Sequence, residues 1–247
     1  MKKIKLLVIA ILIFSACLAQ QVTNIVLVDA NGTITEDLKQ TASFIVVKAF
    51  PQGVYQRLDY KMHAPIQKLR TFSDSLLQVL DGDFFEYAPN GSLYIKGFYT
   101  NNQKDQTWYY YNDTGKVVVK YKYSNGNFLE AINPDTVKNE QHRDALAPNE
   151  KDAAFKGGDK AWSNYIVTNL NAMVAEKSFA GGKVMVNFSI DTTGKPDNFF
   201  LSKSTEFILD EEALRVVMAS PNWQPASQNG KHVRAYRRQP ITFIREE

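Results

Sequence analysis

Few side chains in this sequence have the types and spacing that catalysis or metal binding requires. The three histidines, His63, His142 and His232, are far apart in turn-like or linker contexts, and none has the spacing of zinc ligands. The acidic run 210–212 could supply paired carboxylates, but negative charge near the start of a helix is stabilising and explains it without catalysis. The sequence has no Gly-x-Ser-x-Gly motif and no phosphate-binding loop. It therefore predicts a protein that is not an enzyme and that binds no cofactor and no metal.

Residues 1–19 have the pattern of a secretory signal. Three lysines within the first five residues form a charged start, and the short apolar stretch 6–14 follows. As a helix, residues 6–19 would span about 21 Å at ~1.5 Å per residue, which is short of the ~30 Å hydrocarbon core of a bilayer. This length favours a cleaved leader over a membrane anchor and predicts an exported protein.

Cys17 is the single cysteine of the chain, and its fate depends on where the leader is cleaved. Cleavage after Ala19 by the ordinary signal peptidase would remove Cys17 and leave Gln20 as the first residue. The stretch 14–17 also resembles a bacterial lipobox, which would make Cys17 the lipidated first residue and anchor the protein to a membrane. In both cases the folded part has no disulfide, although it is exported.

The charge balance excludes one class of partner. The chain has 29 Lys and Arg against 26 Asp and Glu, and three of the lysines lie in the leader. The remaining chain is therefore neutral and carries no basic block, so there is no electrostatic reason to expect nucleic-acid binding. With 44% hydrophobic residues the chain can bury one or two ordinary cores.

Two apolar, β-branched runs predict strands near the N-terminus. The run 25–28 precedes the turn signal Asn31-Gly32, and the run 43–50 has the composition of a buried strand.

The region 54–128 contains an internal repeat. The stretch 82–91 aligns with 106–115, so that Phe84 matches Trp108 and Tyr87 matches Tyr111. Each unit reads as a hairpin with one apolar face, and such units are expected to join into one antiparallel sheet. The sequence pattern at 81–91 resembles MORN-like repeats of bacterial toxin–antitoxin-type proteins. That resemblance implies a structural or interaction module.

Aromatic residues recur along the predicted strands, where cross-strand packing is their expected role. The packing set is Phe84, Tyr87, Trp108 and Tyr111. The alternative is a surface that stacks sugars or peptides, led by Tyr94, Tyr109 and Tyr110.

The polar stretch 131–156 is predicted to be a linker. Asp159 then has the position of a helix cap, and the helix that follows carries its apolar residues on one face. These residues are Trp162, Tyr165, Ile166 and Leu170.

The last quarter, 182–244, predicts the order strand, turn, strand, helix, strand. Apolar residues alternate from Val184 to Ile190, which is typical of a half-buried strand, and Gly194 can adopt the positive φ that the next turn needs. The acidic run 210–212 is expected at the start of the helix, Pro221 ends it, and 233–244 forms the last strand.

This order of elements and the residues within them resemble the TonB C-terminal domain family over 152–244. The matching pieces are 155–162, 182–184, 188–194, 210–216, 223–226 and 239–243. The predicted fold class is α+β: an antiparallel β-hairpin repeat domain followed by a TonB-C-like ββαβ domain with a preceding helix. The predicted boundaries are a signal peptide at 1–19, a β-rich domain at 20–130, a linker at 131–156 and the TonB C-terminal-like domain at 157–247.

The resemblance also implies a partner and a site. In that family an edge strand pairs with an extended segment, the TonB box, of a TonB-dependent outer-membrane transporter. The matching strand here begins with Val233, Arg234, Ala235, Tyr236, Arg237 and Arg238. Its three arginines form a small basic cluster, which is either a solvated edge or a partner-facing one.

Three functional hypotheses remain open. The first is an exported protein of the Gram-negative periplasm or envelope that uses the TonB-C-like domain as a protein-binding module. The second is an energy-transducing TonB variant whose uncleaved leader is its membrane anchor. The third is a structural or glycan-binding surface protein. Membrane association is expected only if Cys17 is lipidated or the leader is retained.

Overall fold

The computed structural model describes residues 21–132 and 150–245. These residues form a large antiparallel sheet followed by an α/β region, so the predicted α+β class is confirmed. The leader with Cys17, His142 and residues 133–149 of the predicted linker lie outside the described residues.

The large sheet consists of ten strands. They are β1 (Gln21–Asp29), β2 (Ile34–Thr35), β3 (Thr41–Phe50), β4 (Val54–Lys61), β5 (Ile66–Phe72), β6 (Leu80–Tyr87), β7 (Leu93–Thr100), β8 (Gln103–Tyr111), β9 (Val117–Ser124) and β10 (Asn127–Ile132). Their order is β10-β9-β8-β7-β6-β5-β4-β3-β1-β2, with sequential neighbours paired from β3 to β10.

Two tight turns explain why the repeat region forms hairpins. Gly91 has φ 84° and donates its N–H to Ala88 O at 2.8 Å, and this turn joins β6 to β7. Gly115 has φ 79° and donates to Asn112 O at 2.9 Å in the turn between β8 and β9. Glycine reaches this left-handed region without steric cost, so the aligned glycines fix both turns. The expected single antiparallel sheet is confirmed, whereas the MORN-like resemblance stays a prediction.

The α/β region contains a second, smaller sheet with the order β12-β11-β15. Its elements are α1 (Gly158–Asn169), α2 (Met173–Lys177), β11 (Gly182–Ile190), β12 (Pro196–Lys203), α3 (Phe207–Met218), β13 (Ala226–Gln228), β14 (Lys231–Val233) and β15 (Ala235–Phe243). The predicted strand–strand–helix–strand order is present, while α2 and the β13–β14 hairpin were not predicted.

The start of α1 differs from the prediction. The helix begins at Gly158, its N-cap is Gly157 with φ 93°, and no side chain caps it. Asp159 therefore lies inside the first turn and is not the cap. Trp162 and Ile166 are buried as expected, whereas Leu170 is the C-cap residue.

The start of α3 also differs. The helix begins at Phe207, after the extended N-cap residue Glu206, so Asp210 occupies the first turn and not the first position. Phe207 packs edge-to-face on Tyr60 of β4, with ring centroids 5.4 Å apart. This contact with the large sheet accounts for the earlier start of the helix. The local pattern of charges contains no signal for such a contact, so the sequence did not predict it.

Residues 150–155 are part of the α/β region although they were predicted to be linker. Ala154 and Gln224 exchange two backbone hydrogen bonds of 3.0 and 2.8 Å, and Lys151 pairs with Ser227. Ala153 and Phe155 are buried in the core. The packing of these apolar residues therefore orders the end of the predicted linker.

The two regions share one hydrophobic core. Phe85 of β6 stacks on Phe200 of β12, with centroids 5.6 Å apart and planes 9° from parallel. Tyr87 donates its hydroxyl to Leu201 O at 3.1 Å, and Ile66 N–H donates to Ser204 Oγ at 2.9 Å. The large sheet is thus packed directly against β12 and the loop before α3.

Candidate partner-binding edge

The last strand, β15, is an edge of the small sheet. It pairs with β11 in an unbroken antiparallel register from Gly182↔Phe243 to Ile190↔Ala235, without a bulge. Among residues 21–132 and 150–245, no other strand pairs with β15. Its outer side therefore presents backbone donors and acceptors that another strand can use.

Pro240 indicates which residues of β15 point their backbone groups outward. Proline has no N–H and is tolerated in an edge strand where its nitrogen faces away from the neighbouring strand. Backbone direction alternates along a strand, and the register with β11 is continuous. Tyr236, Arg238 and Thr242 lie two or four residues from Pro240, so their backbone groups point to the same side of the strand. Their N–H and C=O groups are therefore the ones available at the edge.

The opposite edge of the small sheet is partly covered. Ser204 N–H, just after β12, donates to Gly91 O in the β6–β7 turn at 2.8 Å, and Lys203 forms an isolated bridge with Ser92. The Lys203 ammonium also donates to Asn90 O. The large sheet therefore occupies the end of β12, and β15 is the edge that remains open.

The inward side chains of β15 are held by the rest of the α/β region. Trp162 Nε1 of α1 donates to Gln239 Oε1 at 2.6 Å. Arg237 forms an ion pair with Asp152 at 2.8 Å, and its guanidinium lies 5.9 Å from the centre of the Trp223 ring. These contacts fix the strand before any partner arrives, which lowers the entropy lost on binding.

Four of the six predicted edge residues lie in β15, and two do not. Val233 ends β14 and pairs with Ala226, and Arg234 lies between β14 and β15. The strand thus begins two residues later than predicted, because the Asn229-Gly230 turn folds 226–233 into a separate hairpin.

The predicted basic cluster is dispersed in the structure. Arg234 forms an ion pair with Asp197, which raises the pKa of its guanidinium, and Arg237 binds Asp152. Arg238 is exposed and, within the described parts of the chain, has no ion-pair or hydrogen-bond partner. A single guanidinium is therefore left free on this strand. Tyr236 beside it is 68% exposed.

The acidic run is structural, and its members have different roles. Asp210 is fully buried and accepts hydrogen bonds from Thr205 N–H at 3.0 Å and from Tyr60 OH at 3.1 Å. Burial raises the pKa of its carboxyl to about 7, against the hydrogen bonds that favour the ionised form. Glu211 binds Lys48 of β3, and Glu212 binds Arg215. Each of the three carboxylates therefore has a structural role in the fold.

The remaining candidates for chemistry are separate from one another. His63 stacks on Phe179 with centroids 4.7 Å apart, and His232 Nδ1 lies 3.2 Å from Thr192 O. Over 21–132 and 150–245, no group of three or more His, Cys, Asp or Glu residues is arranged to hold a metal ion.

The aromatic residues of the large sheet divide between its two faces. Phe84 and Trp108 stack with centroids 5.3 Å apart on the face away from the small sheet, whereas Tyr87 is buried toward β12. Of the alternative stacking set, Tyr94 is 48% exposed. Tyr109 and Tyr110 are adjacent in β8 and therefore point to opposite faces. Phe84, Trp108 and Tyr87 therefore pack as expected, and the alternative set does not form one surface.

Comparison with known proteins supports the reading of the C-terminal part. Residues 173–244 match the family described as Gram-negative bacterial TonB protein C-terminal. The match covers less than a third of the chain. It includes α2, the β11–β12 and β13–β14 hairpins, α3 and β15, but not α1. Searches of curated proteins and of solved structures found no match.

The match indicates a TonB-like protein-interaction module of the Gram-negative envelope in this part of the chain. That family acts in protein interaction and energy transduction and not in catalysis. Of the helices that the structure describes, none is long and apolar enough to cross a membrane.

Proposed function

We propose that this protein is exported to the periplasm or cell envelope and binds extended protein segments by β-strand addition to β15. The segments that fit this mode are the TonB boxes of outer-membrane transporters. The observation that carries the proposal is the open, unbroken edge of β15, whereas the large sheet partly covers the opposite edge of the small sheet at β12.

The physical basis of such binding is the backbone of both partners. Each main-chain hydrogen bond contributes about 0.5–1.5 kcal/mol net, so an added strand of a few residues gives measurable affinity with little dependence on side chains. Specificity comes from alternate side chains of the bound segment that contact the exposed face of β15 around Tyr236. The free guanidinium of Arg238 on β15 discourages uncontrolled pairing between copies of the free protein.

A proline at Tyr236 tests whether the backbone recognises the partner. A peptide containing the TonB box of an outer-membrane transporter is titrated against wild type, Tyr236→Pro and Tyr236→Thr. Tyr236→Pro removes one outward N–H and should weaken binding about tenfold, while the β11–β15 ladder and the stability are retained. Tyr236→Thr keeps the N–H and removes the ring, and it should bind within about threefold of wild type.

Two results would contradict strand addition. Equal losses in Tyr236→Pro and Tyr236→Thr would mean that the ring is recognised and not the backbone. Wild-type affinity in both variants would mean that the peptide binds elsewhere. Chemical denaturation of each variant separates a binding defect from an unfolded strand.

The family match also favours a second candidate, an energy-transducing TonB variant that drives transport across the outer membrane. This function requires a permanent membrane anchor, so the N-terminus of the mature protein distinguishes the two. We expect mass spectrometry of envelope fractions to find a chain that begins at Gln20 or at lipidated Cys17. Intact Met1 in the inner membrane would instead favour the energy transducer.

A further inference from the structure

A small cavity lies between the large and the small sheet, at the end of the face that they share. Its volume is about 110 Å³. The large sheet contributes Leu93 and Tyr111, and the small sheet contributes Asn187, Phe200, Ser202 and Arg238. The cavity therefore exists only where the two regions meet, and the TonB-like module by itself would not form it.

Two polar side chains of the cavity lack the hydrogen bonds that buried groups normally make. Asn187 Nδ2 and Ser202 Oγ are both buried without a hydrogen-bond partner. Such atoms are rare in native proteins, and a bound water, ion or ligand usually explains them. A site with about 110 Å³ exceeds the roughly 10–15 Å³ that one water requires, so there is room for a small organic group.

The charge of the lining favours an anion. Arg238 is a donor-only group without a partner among the described residues, and Asn187 Nδ2 is also a donor. Lys96 lies over the Phe200 ring with its ammonium 4.0 Å from the centroid, and Asp83 is the carboxylate that faces it. The phenol of Tyr111 is protonated at neutral pH, as that of an ordinary tyrosine is, and burial raises its pKa further.

The shape of the lining narrows the class of anion. A guanidinium pairs with a planar carboxylate through two parallel hydrogen bonds. The remaining walls, Leu93 and Phe200, are apolar and suit a short carbon chain beside the charged group. A carboxylate with a small apolar body satisfies both surfaces at once.

We propose that this cavity binds the carboxylate group of a small ligand or of a protein segment, with Arg238 as the charged partner and Asn187 and Ser202 as hydrogen-bonding groups. This site is separate from the backbone edge of β15, and the proposal does not depend on strand addition. Arg238 belongs to β15, so an occupied cavity would lie next to any strand that is added there.

Propionate is the probe for a free small carboxylate, and propanamide is its neutral control. We expect NMR spectra of the full chain to show saturable shifts of the Asn187 side-chain amide with propionate and none with propanamide. Arg238→Gln should weaken the binding at least tenfold. Arg237→Gln is the matched control, because it removes the same charge from the neighbouring position, where the guanidinium binds Asp152. Ser202→Ala should weaken binding while leaving the charge unchanged.

A protein source of the carboxylate is tested with two short peptides that differ only in one side chain, Glu or Gln, and that need not pair with β15. If propionate causes no shift but the Glu peptide shifts the Asn187 amide and the Gln peptide does not, the carboxylate comes from a protein partner. The proposal is wrong if neither probe shifts this amide, if propanamide acts like propionate, or if Arg238→Gln and Arg237→Gln have equal effects. The Tyr236→Pro result is independent of these outcomes, so the two proposals fail separately.

Discussion

Replacing Glu211 with glutamine should lower the free energy of unfolding by about 3 kcal/mol, because it leaves a buried lysine without its counterion. Lys48 is 2% exposed, and its ammonium lies 2.6 and 2.7 Å from the two carboxylate oxygens of Glu211. Removing one partner of a buried pair typically costs about 3–5 kcal/mol. The Glu211 side chain is 28% exposed, so water can reach part of the pair, and the low end of that range is expected.

Urea denaturation of Glu211→Gln measures this loss, and Glu86→Gln is its matched control. Glu86 forms a 3.4 Å pair with Lys68 in which both side chains are 36% exposed, so the control should change stability by less than about 1 kcal/mol. The double variant Lys48→Met with Glu211→Gln should recover much of the loss, since no charge is then buried. A single-variant loss equal to that of the control would mean that Lys48 reaches water in solution.

The pair also predicts how the protein unfolds. Lys48 belongs to β3 and Glu211 to α3, and the cores of the two regions are continuous. Separating the regions would expose Lys48 together with the stacked rings of Phe85 and Phe200. One cooperative transition is therefore expected for wild type, and a second, earlier transition would be expected if the regions opened independently.

The alternation of apolar residues in the small sheet correctly predicted strand β11, whereas the long-range contact of Lys48 could not be predicted from a local pattern. Val184, Val186 and Phe188 alternate with Met185, Asn187 and Ser189, and the structure buries the three apolar residues of the first set in β11. Their positions follow from local periodicity. Lys48 sits in an apolar strand and finds its partner 163 residues away, and no local signal specifies that contact.

In the candidate site, too, local features were predicted from the sequence and long-range contacts were not. Pro240 in the predicted last strand is compatible with either an edge strand or a bulge, and in the structure β15 is an edge without a bulge. The β13–β14 hairpin, the burial of Asp210 and the cavity at Arg238 depend on how separate segments meet. Charges near a helix start have a sufficient local explanation, so the sequence offered no reason to look for a tertiary one.

The second large effect is a pH dependence of stability that originates at Asp210. Burial raises the pKa of this carboxyl to about 7 in the folded protein, from an ordinary value of 3.8. Between these values the folded state holds a proton that the unfolded state has released. The free energy of unfolding should therefore fall as the pH rises from about 4 to 7, by up to about 4 kcal/mol, and change little above 7.

The groups around Asp210 come from several elements and set this value. Ser204 and Tyr60 donate hydrogen bonds to it, which favours the carboxylate and limits the rise in pKa. The nearby Glu211 carboxylate raises the pKa further, and Tyr87 of β6 also faces the group. Lys48 is engaged by Glu211, so no cation contacts Asp210 directly within the described residues.

Asp210→Asn tests this assignment, because the amide cannot titrate. Denaturation curves at pH 5 and pH 8 should give a smaller stability difference for Asp210→Asn than for wild type. Asp113→Asn, at an exposed turn position, should keep the wild-type difference. If the Asp210→Asn difference equals that of wild type, the three donated hydrogen bonds keep the carboxylate ionised at pH 5, and desolvation is the weaker effect. In that case the Lys48–Glu211 pair, and not Asp210, would be the electrostatically sensitive contact between the two regions.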